Sequence, residues 1–305
     1  MSKEKNLVKI KKPKNSNTIF GLPSKSYIDE DFWKKECETV LSNGWLFVGF
    51  SHELKKSGDV IPVFIANKPI LLVKNGNEIS AFHNVCSHRC LKLVNEKKNV
   101  GKIIRCPYHA WSYDLDGKLK AALHWIKQFH IPFSNHGLKS INVHVWHDWI
   151  FINFNGKAKK FEEYAKPLIK KFDDIDLTKL KYATTLDFGK INTNWKFLIE
   201  NFIEPYHVQF VHKTTTNQPL KDHYTVVDGM CYGSGVDVDE EDTNNSAALS
   251  VTSKYLSLFP NFIIGTYFPN QIGVYLNIPI SPGVTSQKRI IYTTDGKKMG
   301  KEEAN

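Results

Sequence analysis

Short runs of apolar residues dominate the first half of the chain after a polar start. Residues 29–41 place apolar side chains at helical spacing and begin with Asp29, which predicts a helix capped by that residue. From residue 45 onward, brief β-rich runs alternate with Gly, Pro and Asn turns, a pattern typical of hairpins. The predicted strands are 45–49, 60–66, 70–73, 79–84, 101–105, 111–115, 141–146 and 149–154. The pattern indicates a small all-β domain.

The second half of the chain mixes longer strands with helices. It predicts a helix over 161–172 and a helical pattern over 194–210. Strands are predicted at 181–188, 223–238, 262–268, 272–280 and 288–294. We therefore expect an α+β chain whose second domain has an antiparallel sheet in a helix-grip-like arrangement. The expected divisions are a basic arm and helix, the β domain and the α+β domain, at 1–42, 43–155 and 156–305.

Composition places the chain among globular proteins. Of its 305 residues, 41% are hydrophobic and 24% are charged. No apolar run approaches the ~18 residues that a membrane-spanning helix needs, and no secretory signal is visible. The five cysteines are odd in number, which favours a reducing cytoplasm over a disulfide framework.

The net charge of +10 raises the question of acidic partners. Part of the excess lies in a lysine-rich arm, which we interpret as a solvated terminus: Lys3, Lys5, Lys9, Lys11, Lys12 and Lys14. No groove-reading helix, zinc-finger spacing or RNA-binding signature accompanies it. The sequence therefore predicts neither a nucleic-acid partner nor a membrane partner.

Two short segments carry the same pair of metal-binding side chains. Cys86 precedes His88 by two positions, and Cys106 precedes His109 by three. A zinc site can use two Cys and two His, although zinc fingers usually separate the Cys pair from the His pair. If these were ordinary core cysteines and loop histidines, two Cys–His pairs would have to occur by coincidence within 24 residues. The remaining interpretation is a [2Fe–2S] centre in which two His replace two Cys on one iron.

The motif Cys86-x-His88, a gap of seventeen residues, and Cys106-x-x-His109 resembles the ligand motif of Rieske domains. Its surroundings, residues 84–89 and 106–117, are similar to those of ring-hydroxylating and related Rieske non-haem iron oxygenases. The resemblance implies that Cys86 and Cys106 bind one iron and that His88 and His109 bind the other. Neutral imidazole ligands raise the reduction potential, to about −150 to +300 mV in Rieske centres.

A second group of candidate ligands lies on the helical pattern at 194–210. Glu204 and His207 share one face of an ideal helix, but His212 lies roughly 140° around from His207. Both imidazoles reach one metal ion only if the helix breaks, and Pro205 supplies a physical reason for a break. A di-iron bundle needs two Glu-x-x-His pairs, and the chain has only one. Taken alone, the segment is equally compatible with a helix that carries two ordinary histidines.

Beside a Rieske motif, the same segment resembles the catalytic segment of those oxygenases. The resemblance implies that His207 and His212 bind a mononuclear Fe(II) as part of a 2-His-1-carboxylate triad. Glu204 stands where ring-hydroxylating members usually have Asp, and a Glu there resembles the branch that acts on quaternary amines such as carnitine. By that resemblance Glu204 bridges the Rieske His of one subunit to the iron ligand of its neighbour. No acid after His212 matches the expected Asp ligand, so we expect a truncated C-terminal helix.

The resemblance as a whole implies the terminal oxygenase (alpha) subunit of a Rieske oxygenase. Such a subunit takes electrons from a separate NAD(P)H-dependent reductase, directly or through a ferredoxin, and uses O2 on a small organic substrate. An aromatic and a quaternary-amine substrate both stay open, as do monooxygenase and dioxygenase chemistry. Members of that family are commonly trimers, so the resemblance implies a homotrimer. The alternative is a Rieske electron-transfer protein without oxygenase activity of its own.

Overall fold

The computed structural model describes residues 21–122, 132–212, 218, 220–237, 252–268 and 270–298, without the side chains of 267 and 268. The predicted lysine-rich arm and the predicted C-terminal helix, which begins near residue 300, lie outside the described residues. Among the described residues, no helix is long and apolar enough to cross a bilayer.

Three short helices precede the first sheet: α1 (Lys25–Ile28), α2 (Glu30–Glu38) and α3 (Val40–Asn43). Asp29 caps α2, because its Oδ1 atom accepts a hydrogen bond of 2.8 Å from the backbone N–H of Phe32. The predicted helix at 29–41 is thus confirmed at its start. Its end differs, because Thr39 separates helix α2 from the short helix α3.

Seven strands form the first sheet: β1 (Leu46–Phe50), β2 (Asp59–Ile65), β3 (Lys68–Asn75), β4 (Glu78–His83), β5 (Lys98–Asn99), β9 (Ser140–Trp146) and β10 (Trp149–Asn153). Their order across the sheet is β1-β10-β9-β4-β3-β2-β5, and every pairing is antiparallel. A small sheet holds β6 (Ile104–Arg105), β7 (Ser112–Tyr113) and β8 (Leu119–Ala121). The predicted strands at 101–105 and 111–115 are therefore only two residues long, because the chain turns into a Cys–His loop between them.

The second sheet follows helix α4 (Phe161–Lys170), and its strands are β11 (Lys181–Ile191), β12 (His223–Asp228), β13 (Cys231–Val236), β14 (Ser253–Leu258), β15 (Phe262–Phe268), β16 (Gln271–Ser281) and β17 (Val284–Thr293). This sheet is also entirely antiparallel, in the order β11-β17-β16-β15-β14-β13-β12. These two sheets confirm the predicted fold class, an all-β part followed by an α+β part with an antiparallel sheet.

Two details of the second sheet differ from the predictions. The prediction of a single strand at 223–238 is wrong, because this segment forms a hairpin of β12 and β13. The hairpin turns at Gly229, which has a φ of +56°. Strand β14 was not predicted, because four of its six residues are Ser, Lys or Tyr and its apolar signal is weak.

One hydrophobic core joins the two sheets. Phe47 of β1 packs edge-on against Phe262 of β15, with ring centroids 5.0 Å apart, and Phe151 lies 5.4 Å from Phe47. The buried amide of Asn261 fixes this contact, since it accepts from the Phe47 N–H (2.9 Å) and donates to the Phe47 carbonyl (2.8 Å). A second core cluster surrounds Cys86 and Cys106 beneath the Cys–His loops.

A buried ion pair fastens the N-terminal helices to helix α5 (Trp195–Ile203). Lys196 lies 2.8 and 3.0 Å from the two carboxylate oxygens of Glu36, and the Trp195 indole N–H donates to the same carboxylate at 3.1 Å. Glu36 and Lys196 are only 6% and 7% exposed. The ion pair therefore sets where helix α5 begins relative to the rest of the chain.

We expect Lys196→Met to lower the free energy of unfolding by about 3–5 kcal/mol, because it leaves the Glu36 carboxylate buried without its cation. Chemical denaturation followed by circular dichroism measures the loss. The matched control is the double variant Glu36→Gln with Lys196→Met, which removes both charges and should recover at least half of the loss. An equal loss in the single and double variants would show that packing, and not the ion pair, stabilises this junction.

Candidate functional site

The two Cys–His loops have the same backbone construction. In the first, the Cys86 N–H donates to the Leu91 carbonyl (2.8 Å), and the Cys90 N–H donates back to Cys86 (2.9 Å). In the second, Cys106 donates to Trp111 (2.8 Å) and Ala110 donates back to Cys106 (3.1 Å). The fifth residue of each loop has a positive φ, +56° at Cys90 and +57° at Ala110. The structure thus presents the two loops as matching hairpin tips.

Like ligands lie together at these tips. The buried thiol of Cys106 contacts that of Cys86: burial raises the pKa of Cys86, a hydrogen bond with Tyr113 lowers it, and the Cys106 thiol raises it further. The imidazole rings of His88 and His109 are 4.8 Å apart between centroids. The two thiols therefore lie together and the two imidazoles lie together, which suits a two-iron cluster with one kind of ligand on each iron.

The donor atoms of these loops are suited to metal. Among the described residues, Nδ1 of His109 is buried without a hydrogen-bond partner, a cost that a metal bond would remove. Burial, followed by the charges of His109 and Arg89, holds the pKa of His88 below its ordinary value, so its ring is neutral near pH 7. Trp111 stacks on the His88 ring at 4.8 Å and covers it. The residues present thus fit a Rieske-type [2Fe–2S] cluster.

A single-ion site is a poorer fit to the same residues. Within the described ranges, no three His, Cys, Asp or Glu side chains converge closely enough to hold one metal ion. Four-coordinate zinc needs all four donors around one point, whereas a two-iron cluster takes its donors as two separate pairs. The arrangement favours the cluster over the zinc alternative.

One hydroxyl at the first loop was not assigned in advance. The Tyr113 hydroxyl oxygen lies 3.1 Å from Cys86 Sγ and accepts the Ser87 N–H at 3.1 Å. A metal-bound thiolate has no proton, so the Tyr113 O–H is the group that can donate to the sulfur. Its place in the motif, seven residues after Cys106, was visible in the sequence, but its contact with the other loop was not.

We expect Tyr113→Phe to lower the reduction potential of a cluster held by these loops. Loss of a hydrogen bond worth about 1–1.5 kcal/mol corresponds to roughly 40–60 mV for one electron. A redox titration followed by the visible spectrum measures this change. Tyr108→Phe is the matched control, because Tyr108 is exposed at the second loop and should leave the potential unchanged.

The second group of candidate ligands lies where helix α5 ends. Glu204 leaves the helix with an extended backbone (φ −90°, ψ 132°), Pro205 follows, and a new short helix, α6 (Val208–Val211), begins. His207 and His212 flank α6 at its two ends, and their ring centroids are 5.3 Å apart. The predicted break at Pro205 is confirmed, and it brings together two rings that an unbroken helix would separate.

Glu204 contacts the first of these histidines directly. Its Oε1 atom forms a short hydrogen bond with Nδ1 of His207, and its Oε2 atom accepts from the Tyr206 N–H at 2.7 Å. A carboxylate on Nδ1 keeps the proton on that nitrogen and leaves Nε2 as the donor to a metal. The same carboxylate remains 40% exposed, so it can also meet a group from outside.

The structure supplies no third iron ligand among the described residues. Asp222, Asp228, Asp237 and Asp295 are described, and none joins His207 and His212 in a three-residue cluster. The other acids that follow His212 lie outside the described residues: Asp239, Glu240, Glu241, Asp242, Glu302 and Glu303.

The contact of Tyr27 with helix α5 joins residues 173 positions apart and has no local signal in the sequence. Its hydroxyl donates to Glu200 at 2.8 Å, and its ring stacks on Phe197 at 4.2 Å. Burial, the hydrogen bond and the charge of Glu200 raise the pKa of Tyr27 to about 12. Tyr27 of helix α1 therefore holds helix α5 at Glu200, one turn before Glu204.

Comparison with known families separates the chain into two parts. Residues 44–129 match the family described as Rieske [2Fe–2S] domain, and residues 161–304 match the ring hydroxylating alpha subunit (catalytic domain). The chain belongs to the family of Rieske oxygenase alpha subunits. The two cofactors expected for a member, a Rieske [2Fe–2S] cluster and a mononuclear iron, are confirmed at the level of these domains.

Relatives within the Rieske oxygenase family include enzymes of quaternary amines. The chain is 31% identical over 196 residues to a glycine betaine monooxygenase oxygenase subunit of Pseudomonas aeruginosa, covering 63% of this chain and 45% of that protein. It is 27% identical over 213 residues to a carnitine monooxygenase oxygenase subunit of Escherichia coli, covering 69% and 57%. The chain thus spans about half the length of the curated relatives it matches.

Solved structures of the Rieske oxygenase family share the fold. The quaternary ammonium Rieske monooxygenase CntA superposes with a TM-score of 0.78 at 20% identity, over 93% of this chain and 78% of that one. Naphthalene 1,2-dioxygenase superposes with a TM-score of 0.70 at 19% identity, over 87% and 69%. At these identities the likeness establishes the fold alone.

Proposed function

We propose that this chain is a terminal oxygenase component that activates O2 to hydroxylate a small organic substrate. The observation that carries the proposal is the pairing of like ligands at two matched loop tips, in one chain with two histidines that flank a broken helix. We propose Cys86, His88, Cys106 and His109 as the cluster ligands. We propose His207 and His212 as ligands of the mononuclear iron.

When bound, the cluster supplies single electrons and the mononuclear iron supplies the site of O2 activation. The chain's own residues do the positioning. The break at Pro205 brings the rings of His207 and His212 to 5.3 Å from each other, and Glu204 holds the His207 proton on Nδ1. Trp111 covers His88 and excludes water from one side of the cluster loops. We assign Glu204 to the bridge between the two centres.

A quaternary amine is the substrate class we favour over an arene. Two relatives are named for such amines, a glycine betaine monooxygenase and a carnitine monooxygenase. Near the end of helix α5, the Phe202 ring packs 5.9 Å from Tyr255 and 5.2 Å from Tyr275, both edge to face. Aromatic faces of this kind can bind a quaternary ammonium group by cation–π attraction. By contrast, Phe262 lies in the core with Phe47 and does not face a site.

The assembly we propose is a homotrimer in which one subunit's cluster serves its neighbour's iron. Exposed apolar side chains stand beside both centres: Tyr108 at the second cluster loop, and Tyr206, Phe210 and Val211 at the iron site. Burial of such patches is a common reason for association. We propose further a separate NAD(P)H-dependent reductase, acting directly or through a ferredoxin, and a cytoplasmic location. We retain the domain limits 1–42, 43–155 and 156–305.

Single-turnover oxidation tests the proposed function. Protein loaded with iron and sulfide is reduced, mixed with labelled O2 and either glycine betaine, carnitine or salicylate, and the products are analysed by mass spectrometry. We expect the oxygen label to enter the product when a quaternary amine is the substrate. We expect His207→Ala to abolish this incorporation while the spectrum of the cluster remains. Electron transfer that is unchanged by His207→Ala, with no labelled product from either protein, would favour the alternative of an electron carrier.

A further inference from the structure

The positive charge of this protein is concentrated in two segments. Residues 1–20 contain six basic side chains and one acidic one, and so do residues 89–105, which we call the basic segment. Each therefore has a net charge of +5. The 29 basic and 29 acidic side chains elsewhere cancel. Outside the N-terminal arm, the whole excess thus lies between the two proposed cluster-binding loops.

The cations of the basic segment are free to meet a partner. All six are exposed: Arg89, Lys92, Lys97, Lys98, Lys102 and Arg105. None of them forms an ion pair with any described residue. One lysine on the short edge strand β5 would suffice to block unwanted strand pairing. The remaining cations therefore need another explanation.

A neighbouring turn adds to the same surface. The Val100 N–H donates to the Gly58 carbonyl (2.8 Å), and the Asn99 amide donates to the Ser57 carbonyl (3.1 Å). These contacts bring exposed Lys55 and Lys56 beside the basic segment. The one acid of this turn, Asp59, already accepts hydrogen bonds from the Asn99 side-chain amide and from the backbone N–H groups of Lys55 and Lys56. The turn therefore increases the positive charge of the surface.

The position of this surface in the chain indicates its use. The basic segment begins directly after His88 and ends directly before Cys106. A dense field of one sign beside a redox centre raises the encounter rate of partners with the opposite charge. The proposed function needs an electron donor for this centre, and this sequence carries no G-x-G-x-x-G nucleotide motif of its own.

We propose that the basic segment is the docking surface for an acidic electron-donor protein. This inference rests on the proposed function. The donor is a reduced iron–sulfur or flavin protein: it is oxidised by one electron, and the cluster of this chain is reduced by that same electron. An acidic protein is favoured over a nucleic acid or membrane, because the segment adjoins the group that must exchange electrons.

Stopped-flow reduction by a plant-type [2Fe–2S] ferredoxin of net negative charge tests the docking surface on the full, cluster-loaded chain. The test variant is Lys97→Glu, Lys98→Glu, Lys102→Glu. The matched control is Lys157→Glu, Lys166→Glu, Lys170→Glu, which makes the same charge change at exposed positions on and before helix α4. We expect the test variant to slow reduction by about tenfold or more and the control by less than twofold, with a wild-type rate that falls as salt is raised. Equal rates in the two variants would overturn the proposal.

Two further arms separate the other outcomes. Cytochrome c, a basic electron acceptor, should oxidise the reduced test variant faster than the wild type. If the test variant instead loses binding to anionic vesicles or to polyuridylate while its ferredoxin rate is unchanged, the proposal is wrong. If the protein inserts oxygen into a substrate but its reduction by ferredoxin does not depend on salt, the docking proposal is wrong and the proposed function stands. If reduction by ferredoxin depends on salt but the protein inserts no oxygen, the docking proposal is supported and the proposed oxygenase function is wrong.

Discussion

Cys106→Ala is expected to abolish the iron–sulfur cluster, whereas Cys90→Ala is expected to leave it intact. Cys106 is buried and contacts Cys86, so it supplies half of the thiolate ligands of the proposed cluster. Cys90 lies four residues after Cys86 in the same loop, but its side chain is exposed. Iron and acid-labile sulfide, measured with the visible spectrum of reconstituted protein, should fall to background in the first variant only.

Two other cysteines extend this control. Cys37 and Cys231 are buried, and burial raises the pKa of each thiol to about 12, so neither is prepared to act as a thiolate. Replacing either by Ala removes one small buried side chain and should leave the iron content unchanged. A Cys106→Ala protein that retained two irons and two sulfides would rule out the ligand set proposed here.

His207→Ala is expected to weaken iron binding at the second centre by 100-fold or more, and Glu204→Gln by about 10–100-fold. His207 supplies a donor atom in our proposal, whereas Glu204 acts through it by fixing its proton and ring orientation. Anaerobic Fe(II) titration against a competing chelator, on protein whose cluster is already loaded, gives both affinities without any need for turnover.

His144→Ala is the matched control for the second centre. His144 is a half-buried histidine that stacks on Phe161 at 4.2 Å, far from the broken helix in sequence. Its replacement should leave the affinity for iron within twofold of the wild type. Equal losses in His144→Ala and His207→Ala would indicate a general effect on stability, and unchanged affinity in His207→Ala would exclude it as a ligand.

The type of cofactor was easier to predict than the contacts around it. The ligand types of Cys86 and His88 and of their counterparts in the second loop left a zinc site and a cluster open, and the resemblance to the Rieske motif selected the cluster. Pro205 indicated a helix break, because proline removes a helical hydrogen bond wherever it stands. These are local properties of the chain, and the structure agrees with them.

Contacts between distant segments were not predictable in the same way. Tyr113 reaches Cys86 across 27 positions, and Tyr27 reaches Glu200 across 173. Such pairs depend on how the sheets pack, which no local spacing encodes. Strand β14 was missed for a related reason, because it is stabilised by its pairing with β13 and β15 rather than by an apolar pattern of its own.

Pulsed electron paramagnetic resonance of the reduced protein tests most directly whether one pair of thiolates and one pair of imidazoles hold the cluster. Protein grown on nitrogen-labelled histidine should show hyperfine couplings from two imidazole nitrogens, and their frequencies should shift with the label. A reduced cluster without any histidine coupling, or protein that yields no iron-based signal after reconstitution, would contradict the account.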